Sequence, residues 1–135
     1  MRTTLRSIAL TALAAVVLCA ASARAADLDE LKDTTPGERA KAQTAMMKMK
    51  LGLTDAEAAK VAPINAKYAE RMEPIIKGDK MPLMKMRAVR EVEEQKEAEL
   101  KKVLTGDQYT KFEASKEEMM EQLADHIRAD RAKGK

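Results

Sequence analysis

The amino-acid sequence predicts an all-α protein of four helices that is thin and curved rather than globular. The chain of 135 residues contains two Tyr, one Phe and no Trp, which is too little aromatic area for a thick core. Good helix formers, namely Ala, Glu, Lys, Leu and Met, supply most of the remaining sequence. Three Thr-x-x-Glu/Gln boxes mark helix starts, and they are Thr35 with Glu38, Thr54 with Glu57, and Thr105 with Gln108.

Residues 1–25 have the layout of a secretory signal peptide, which predicts a periplasmic protein with a cleavable leader. Arg2 and Arg6 precede an apolar run, and the cleavage signal Ala23-Arg24-Ala25 closes it. The run is shorter than the roughly 20 residues that span a bilayer, so we expect no membrane span. Lipid attachment at Cys19 is the less favoured alternative. We predict a flexible segment at 26–35 after the cleavage site.

The charge balance and the residue types exclude several classes of function. Removing residues 1–25 takes away three arginines and no acidic residue, which leaves 22 basic and 22 acidic residues and argues against a nucleic-acid partner. Cys19, the only Cys, leaves with the leader. No nucleophile with a base, phosphate loop or HExxH motif is present, so we expect neither an enzyme nor a cofactor. His126 is more typical of a packed or half-exposed side chain than of a metal ligand.

We place the first two helices at 36–50 and 55–77. Pro36 takes the first helical position of the first helix, where its missing N–H costs nothing. The second helix has an apolar face at spacings of three and four, made of Val61, Ile64, Tyr68, Met72 and Ile75. Pro63 and Pro74 lie inside it, eleven residues apart, and should bend it in one direction, concave on the apolar side. The alternative is that Pro63 divides this segment into two helices.

We place the third and fourth helices at 80–104 and 106–131, with a disordered tail at 132–135. Lys96 interrupts the apolar stripe of the third helix, which consists of Val89, Val92, Leu100 and Val103. The fourth helix has a stripe of Tyr109, Phe112, Met119, Met120, Leu123 and Ile127.

The third helix also divides its charge between its two halves. Residues 77–90 hold five basic residues and one acidic residue, whereas residues 91–99 hold five acidic residues and one basic residue. An antiparallel copy of the helix would set the basic half beside the acidic half, so we predict an antiparallel homodimer contact here. The alternative is a solvated helix with weak local ion pairs.

Two Met-x-x-Met pairs lie off the predicted core, Met46 with Met49 and Met81 with Met84. Flexible, unbranched thioethers suit promiscuous apolar recognition, and nearby Lys85 and Arg87 add attraction to acidic partners. We therefore predict a binding surface for many apolar partners at these six residues. The alternatives are ordinary packing at a dimer interface and a soft-metal site for Cu(I), for which the four methionines are the candidate ligands.

The segments Leu53-Thr54-Asp55-Ala56-Glu57 and Leu104-Thr105-Gly106-Asp107-Gln108 resemble the paired LTxxQ motifs of the Spy/CpxP family. The first motif has Glu57 where the family usually has Gln. The resemblance implies a cradle-shaped, antiparallel periplasmic dimer that binds unfolded or aggregating proteins without ATP, or that regulates an envelope-stress sensor kinase. Some relatives are linked to metal stress. At the six motif positions Leu53, Thr54, Glu57, Leu104, Thr105 and Gln108 we expect a role in the fold.

Overall fold

The computed structural model describes Leu28 and residues 31–134, and the predicted signal peptide lies outside these residues. A short 3-10 turn at Leu31–Asp33 precedes four α-helices, and the described residues contain no strand. This confirms the prediction of an all-α fold with four helices. The helices are α1 (Pro36–Leu51), α2 (Asp55–Lys77), α3 (Pro82–Val103) and α4 (Gly106–Lys133).

Three of the four helices begin at a complete capping box. The hydroxyls of Thr35, Thr54 and Thr105 each accept from the third backbone N–H of their helix at 3.2 Å. The acid or amide at that third position accepts in return from the Thr backbone N–H at 2.8 to 3.0 Å. The exception is α3, where Met81 stands at the cap without a side-chain bond and Pro82 takes the first helical position. This helix therefore starts two residues later than predicted.

Tight turns connect the first three helices. Gly52 adopts a φ of 65° after α1, a left-handed conformation that glycine tolerates without strain. The N–H groups of Gly52 and Leu53 both donate to the carbonyl of Lys48, and this pairing ends the helix. At the end of α2, a Cβ on Gly78 would lie 2.7 Å from the carbonyl oxygen of Pro74, so a larger residue does not fit there.

The two interior prolines do not divide α2. Asp55–Lys77 is one helix with Pro63 and Pro74 inside it, which decides against the alternative of two shorter helices. This helix is central, because it packs against both α1 and α3. Helix α4 lies along α1, whereas α3 and α4 make few contacts with each other. The α3–α4 side is consequently the more loosely packed side of the bundle, although side chains of both helices belong to the same core clusters.

The core consists of two apolar clusters at opposite ends of the bundle. The motif cluster contains both motif leucines and comprises Met47, Leu51, Leu53, Val61, Leu100, Leu104, Phe112 and Met119. The N-terminal cluster comprises Leu28, Leu31, Tyr68, Met72, Ile76, Val92, Leu123 and Ile127. Three polar side chains are buried beside them: Arg39, Asn65 and Lys96.

Part of the N-terminal segment is buried, and the last helix is two residues longer than predicted. Leu28 and Leu31, in the segment expected to be flexible, are only 7% and 6% exposed, because both insert into the N-terminal cluster. At the other end, α4 continues to Lys133, past the predicted end at 131. Within the described part of the chain, no helix has the combined length and apolar character that a membrane span requires.

Candidate functional site

Three of the four predicted methionines are exposed at the surface. Met49 is 77% exposed, Met81 74% and Met84 53%. Met46 differs from the prediction, because it is half-buried against the N-terminal cluster. Helix α4 lies along α1 and covers this side of it, which the periodicity of α1 alone does not reveal. Met46 therefore faces a cleft next to Met120 of α4 instead of open solvent.

The two methionine pairs lie at opposite ends of the bundle. Met49 is next to the turn from α1 to α2, whereas Met81 and Met84 follow the turn from α2 to α3. Because α2 connects these turns, its 23 residues separate them by about 35 Å. The four thioethers therefore do not meet within one chain, and a metal site that uses all four is not formed there.

The start of α3 carries the most exposed apolar group in the described structure, which we call the tip. It consists of Met81, Leu83 and Met84, and Leu83 is 64% exposed. Sequence reasoning did not single out Leu83, although its position between the two methionines and off the apolar stripe of α3 was a usable signal. These three residues flank Pro82 in the sequence, and Pro82 occupies the first helical position.

Basic residues surround the tip. Lys80 and Arg87 are exposed, and Lys85 is half-buried with its ammonium 3.4 Å from the carbonyl oxygen of Ile76. The partial positive charge of a helix N-terminus adds to these cations, since no acidic residue stands in the first turn of α3. The tip is therefore an apolar surface in a positive electrostatic environment.

The loosely packed side between α3 and α4 forms a narrow groove. Two cavities of about 40 Å³ each lie along it, and both are lined by Gln43, Glu93, Lys96 and Met120. The Lys96 ammonium is buried and donates to the Gln43 side-chain oxygen at 3.1 Å. It also lies 3.8 Å from the Glu93 carboxylate. Each cavity is far below the roughly 300 to 1,000 Å³ of small-molecule sites.

The two sequence motifs contact each other. The Gln108 side-chain amide donates to the Glu57 carboxylate at 3.1 Å. The Thr54 backbone N–H and the Gln108 amide both lower the pKa of Glu57, in that order of effect. Leu53 and Leu104 are buried in the motif cluster. These contacts join the starts of α2 and α4, so the motif residues act in the fold.

The isolated histidine is at the surface. Its side chain is 59% exposed, and Nε2 of His126 lies 3.2 Å from a carboxylate oxygen of Asp130, one helical turn further on. Among the described residues, no group of three or more His, Cys, Asp and Glu side chains is placed to hold a metal ion.

A family model described as a domain of unknown function, DUF4890, matches residues 23–112 of the chain. The matched region contains α1, α2, α3 and the beginning of α4, and it includes both motifs and the tip. No curated protein and no solved structure shows significant similarity to the chain.

Proposed function

The chain belongs to the DUF4890 family, and for this member we propose the function of an ATP-independent periplasmic chaperone. It binds unfolded or aggregation-prone proteins during envelope stress. The exposed apolar tip of Met81, Leu83 and Met84 is the observation that carries this proposal. Three adjacent large apolar side chains in water are unfavourable for the free protein, and such groups mark interaction surfaces.

The chemistry of the tip suits partners that share no sequence. Unbranched thioethers repack against side chains of many shapes, and apolar burial is non-directional. Lys80, Lys85 and Arg87 attract acidic polypeptides over a longer range and raise the rate of encounter. The export signal predicted at 1–25 and the motifs that resemble Spy/CpxP support the same function.

A homodimer would enlarge this surface. The exposed face of α3 carries Arg87 and Arg90 in one half and Glu91 and Glu94 in the other. An antiparallel copy brings each half beside its opposite charge. We therefore propose that the chaperone is a dimer through this face, with a tip at each end of the contact.

Removal of the tip tests the chaperone proposal. The variant carries Met81→Gln, Leu83→Gln and Met84→Gln, because Gln forms helix about as well as Met and Leu. We expect the parent chain to suppress aggregation of an unrelated, thermally unfolding protein without nucleotide. The variant should need about tenfold more protein for the same suppression, as expected if it has lost roughly 1.4 kcal/mol of binding.

Met49→Gln is the matched control, since Met49 is equally exposed but lies at the other end of the bundle. An equal loss in both variants would show that exposed methionines act without regard to position. Absence of suppression by the parent chain would contradict the proposal outright.

Two alternatives make different predictions in related assays. A regulatory adaptor for an envelope-stress sensor kinase would recover one protein from an envelope extract, whereas a chaperone recovers many.

A copper-handling protein would bind Cu(I) under a competing chelator through Met81 and Met84, which stand three residues apart on α3. Met81→Leu with Met84→Leu should abolish that binding and leave aggregation suppression nearly unchanged.

A further inference from the structure

Leu28 and residues 31–34 form a segment that we call the strap, and it covers one end of the groove between α3 and α4. The side chains of Leu28 and Leu31 lie in the N-terminal cluster with Tyr68, Met72 and Leu123. Tyr68 and Met72 come from α2 and Leu123 comes from α4, so the strap leucines pack against two helices that are distant in the sequence.

The buried side chain of Arg39 connects the strap to the bundle. Its guanidinium donates to the Leu31 carbonyl at 3.2 Å, to the Thr34 carbonyl at 2.7 Å and to the Thr34 hydroxyl at 3.1 Å. Its other amino group faces α2, where it donates to the Ala69 carbonyl at 3.5 Å and forms an ion pair with Glu73. Arg39 is 4% exposed, so these bonds replace its water.

The strap fills the groove incompletely. One of the two cavities is lined by both strap leucines together with Val89 and Met120, so space remains between the strap and the helices. Because the second cavity shares four lining residues with the first, the groove continues beyond the strap. There it is lined by Met46, Phe112 and Met119. Apolar side chains therefore line the groove on both sides of the shared polar residues Gln43, Glu93 and Lys96.

We propose that this groove is a second binding site for unfolded polypeptides, which the strap occupies as an internal competitor. The partner that fits is a segment with two large aliphatic residues three positions apart, as Leu28 and Leu31 are. Arg39 helps to hold the strap in place and so contributes to setting the fraction of molecules with an open groove. The inference rests on the proposed function only in taking the partner to be an unfolded polypeptide.

The affinity of the groove then depends on how often the strap leaves it. When only a fraction of molecules is open, the apparent dissociation constant is the intrinsic value divided by that fraction. A variant whose strap cannot bind should therefore bind partners more tightly, although it has lost apolar residues. This is the opposite of what a merely structural role for Leu28 and Leu31 predicts.

The test uses the full chain and a fluorescent, permanently unfolded carboxymethylated protein as the probe. Fluorescence anisotropy measures the dissociation constant for the parent, for Leu28→Ser with Leu31→Ser, and for Arg39→Gln. We expect at least about tenfold tighter binding for the double variant and a smaller gain for Arg39→Gln, which keeps both leucines. A synthetic peptide of residues 26–35 should displace the probe from the double variant, and the same peptide with Ser for both leucines should not.

Leu53→Ser is the control for general destabilisation, because Leu53 is as buried as the strap leucines but lies in the motif cluster. An equal gain for Leu53→Ser, unchanged affinity in both strap variants, or failure of the peptide to compete would overturn the inference. If circular dichroism shows that the double variant has lost its helices, Arg39→Gln decides alone.

The same measurements separate this inference from the chaperone proposal. Tighter probe binding after strap release, with no suppression of aggregation by any variant, would support the groove and contradict the chaperone. Suppression of aggregation that requires the tip, with no effect of strap release on probe binding, would support the chaperone and contradict the groove. Repeating the strap substitutions in the tip variant shows whether the two surfaces bind independently.

Discussion

Glu57 and Gln108 each make two contacts, and together these explain why one motif has an acid and the other an amide. Each side chain accepts from the backbone N–H of its own capping Thr. The Gln108 amide then donates to Glu57 across the gap between α2 and α4. Two carboxylates would repel at this distance, whereas an acid and an amide supply one acceptor and one donor.

Gln108→Glu should therefore destabilise the protein in a pH-dependent way. At pH 7 the new carboxylate faces Glu57, whose lowered pKa keeps it charged, so the melting temperature should fall. Because the facing carboxylates raise the pKa of one of them, that group takes up a proton before the other, and the loss should shrink as the pH falls towards about 4.3. Thermal melts from pH 3 to pH 8 measure this dependence.

The exchanged pair, Glu57→Gln with Gln108→Glu, is the control for that experiment, because it restores one donor and one acceptor. Its melting temperature at pH 7 should recover most of the loss. An unchanged melting temperature for Gln108→Glu at every pH would show that the contact between the motifs contributes nothing.

Lys96 shows where sequence reasoning stopped at the scale of single residues. It interrupts the apolar stripe of α3, and the sequence gives no sign of its partner, because Gln43 is on a different helix. Buried polar contacts between helices depend on the packing of the whole bundle. The capping contacts were visible in the sequence because they join residues only three positions apart.

Lys96→Met should leave the protein as stable or raise its free energy of unfolding by about 1 kcal/mol, because a buried ammonium is replaced by an apolar chain of similar length. Glu93 is partly exposed and keeps access to water after the change. Urea denaturation measures the difference. A loss of 2 kcal/mol or more would instead show that the ammonium and its two partners stabilise the groove.

At the scale of helices, local signals predicted three starts well and the fourth less well. Each capping box fixes the start of its helix within a residue or two, because all the contacts of the box lie within the motif. The start of α3 has no such box, and Met81 at its cap makes no side-chain hydrogen bond to the helix. Pro82 sets the boundary there because its fixed φ suits the first helical position.

Pro63→Ala should stabilise α2. The proline is exposed inside a continuous helix, where it removes one backbone hydrogen bond and crowds the preceding turn. Alanine restores the hydrogen bond and relieves the crowding. The greater freedom of the unfolded chain offsets part of this gain, so we expect the free energy of unfolding to rise by about 2 kcal/mol. Urea denaturation and far-ultraviolet circular dichroism measure the gain.

Pro36→Ala is the matched control, because Pro36 occupies the first position of α1 and removes no helical hydrogen bond. It should leave stability unchanged or slightly lower. A similar response at both positions would show that the surrounding bundle accommodates Pro63 without strain.

At the scale of the whole molecule, the sequence predicted which face of each helix is apolar but not which faces meet. Helix α4 packs along α1, and this contact half-buries Met46. The strap adds two leucines to the core from a segment without any regular pattern. Both features depend on long-range packing, which periodicity within one helix does not encode.

The proposed dimer depends on which charges of α3 remain available to a second copy. Glu97 pairs with Lys116 at 3.0 Å, and Glu99 accepts from the Tyr68 hydroxyl at 2.9 Å, so both have partners within the chain. Arg87 and Glu91 are exposed, and Arg90 lies 3.8 Å from Glu94 in a surface pair. A surface pair of this kind contributes little and exchanges partners readily.

In an antiparallel pair centred between Arg90 and Glu91, Arg87 of one copy faces Glu94 of the other. Arg87→Glu with Arg90→Glu makes this face acidic, and Glu91→Lys with Glu94→Lys makes it basic. Each double variant alone should sediment as a monomer because like charges then meet, whereas an equimolar mixture should form a dimer that salt weakens. A parent chain that sediments as a monomer at every concentration, or a mixture that stays monomeric, would contradict a dimer through α3.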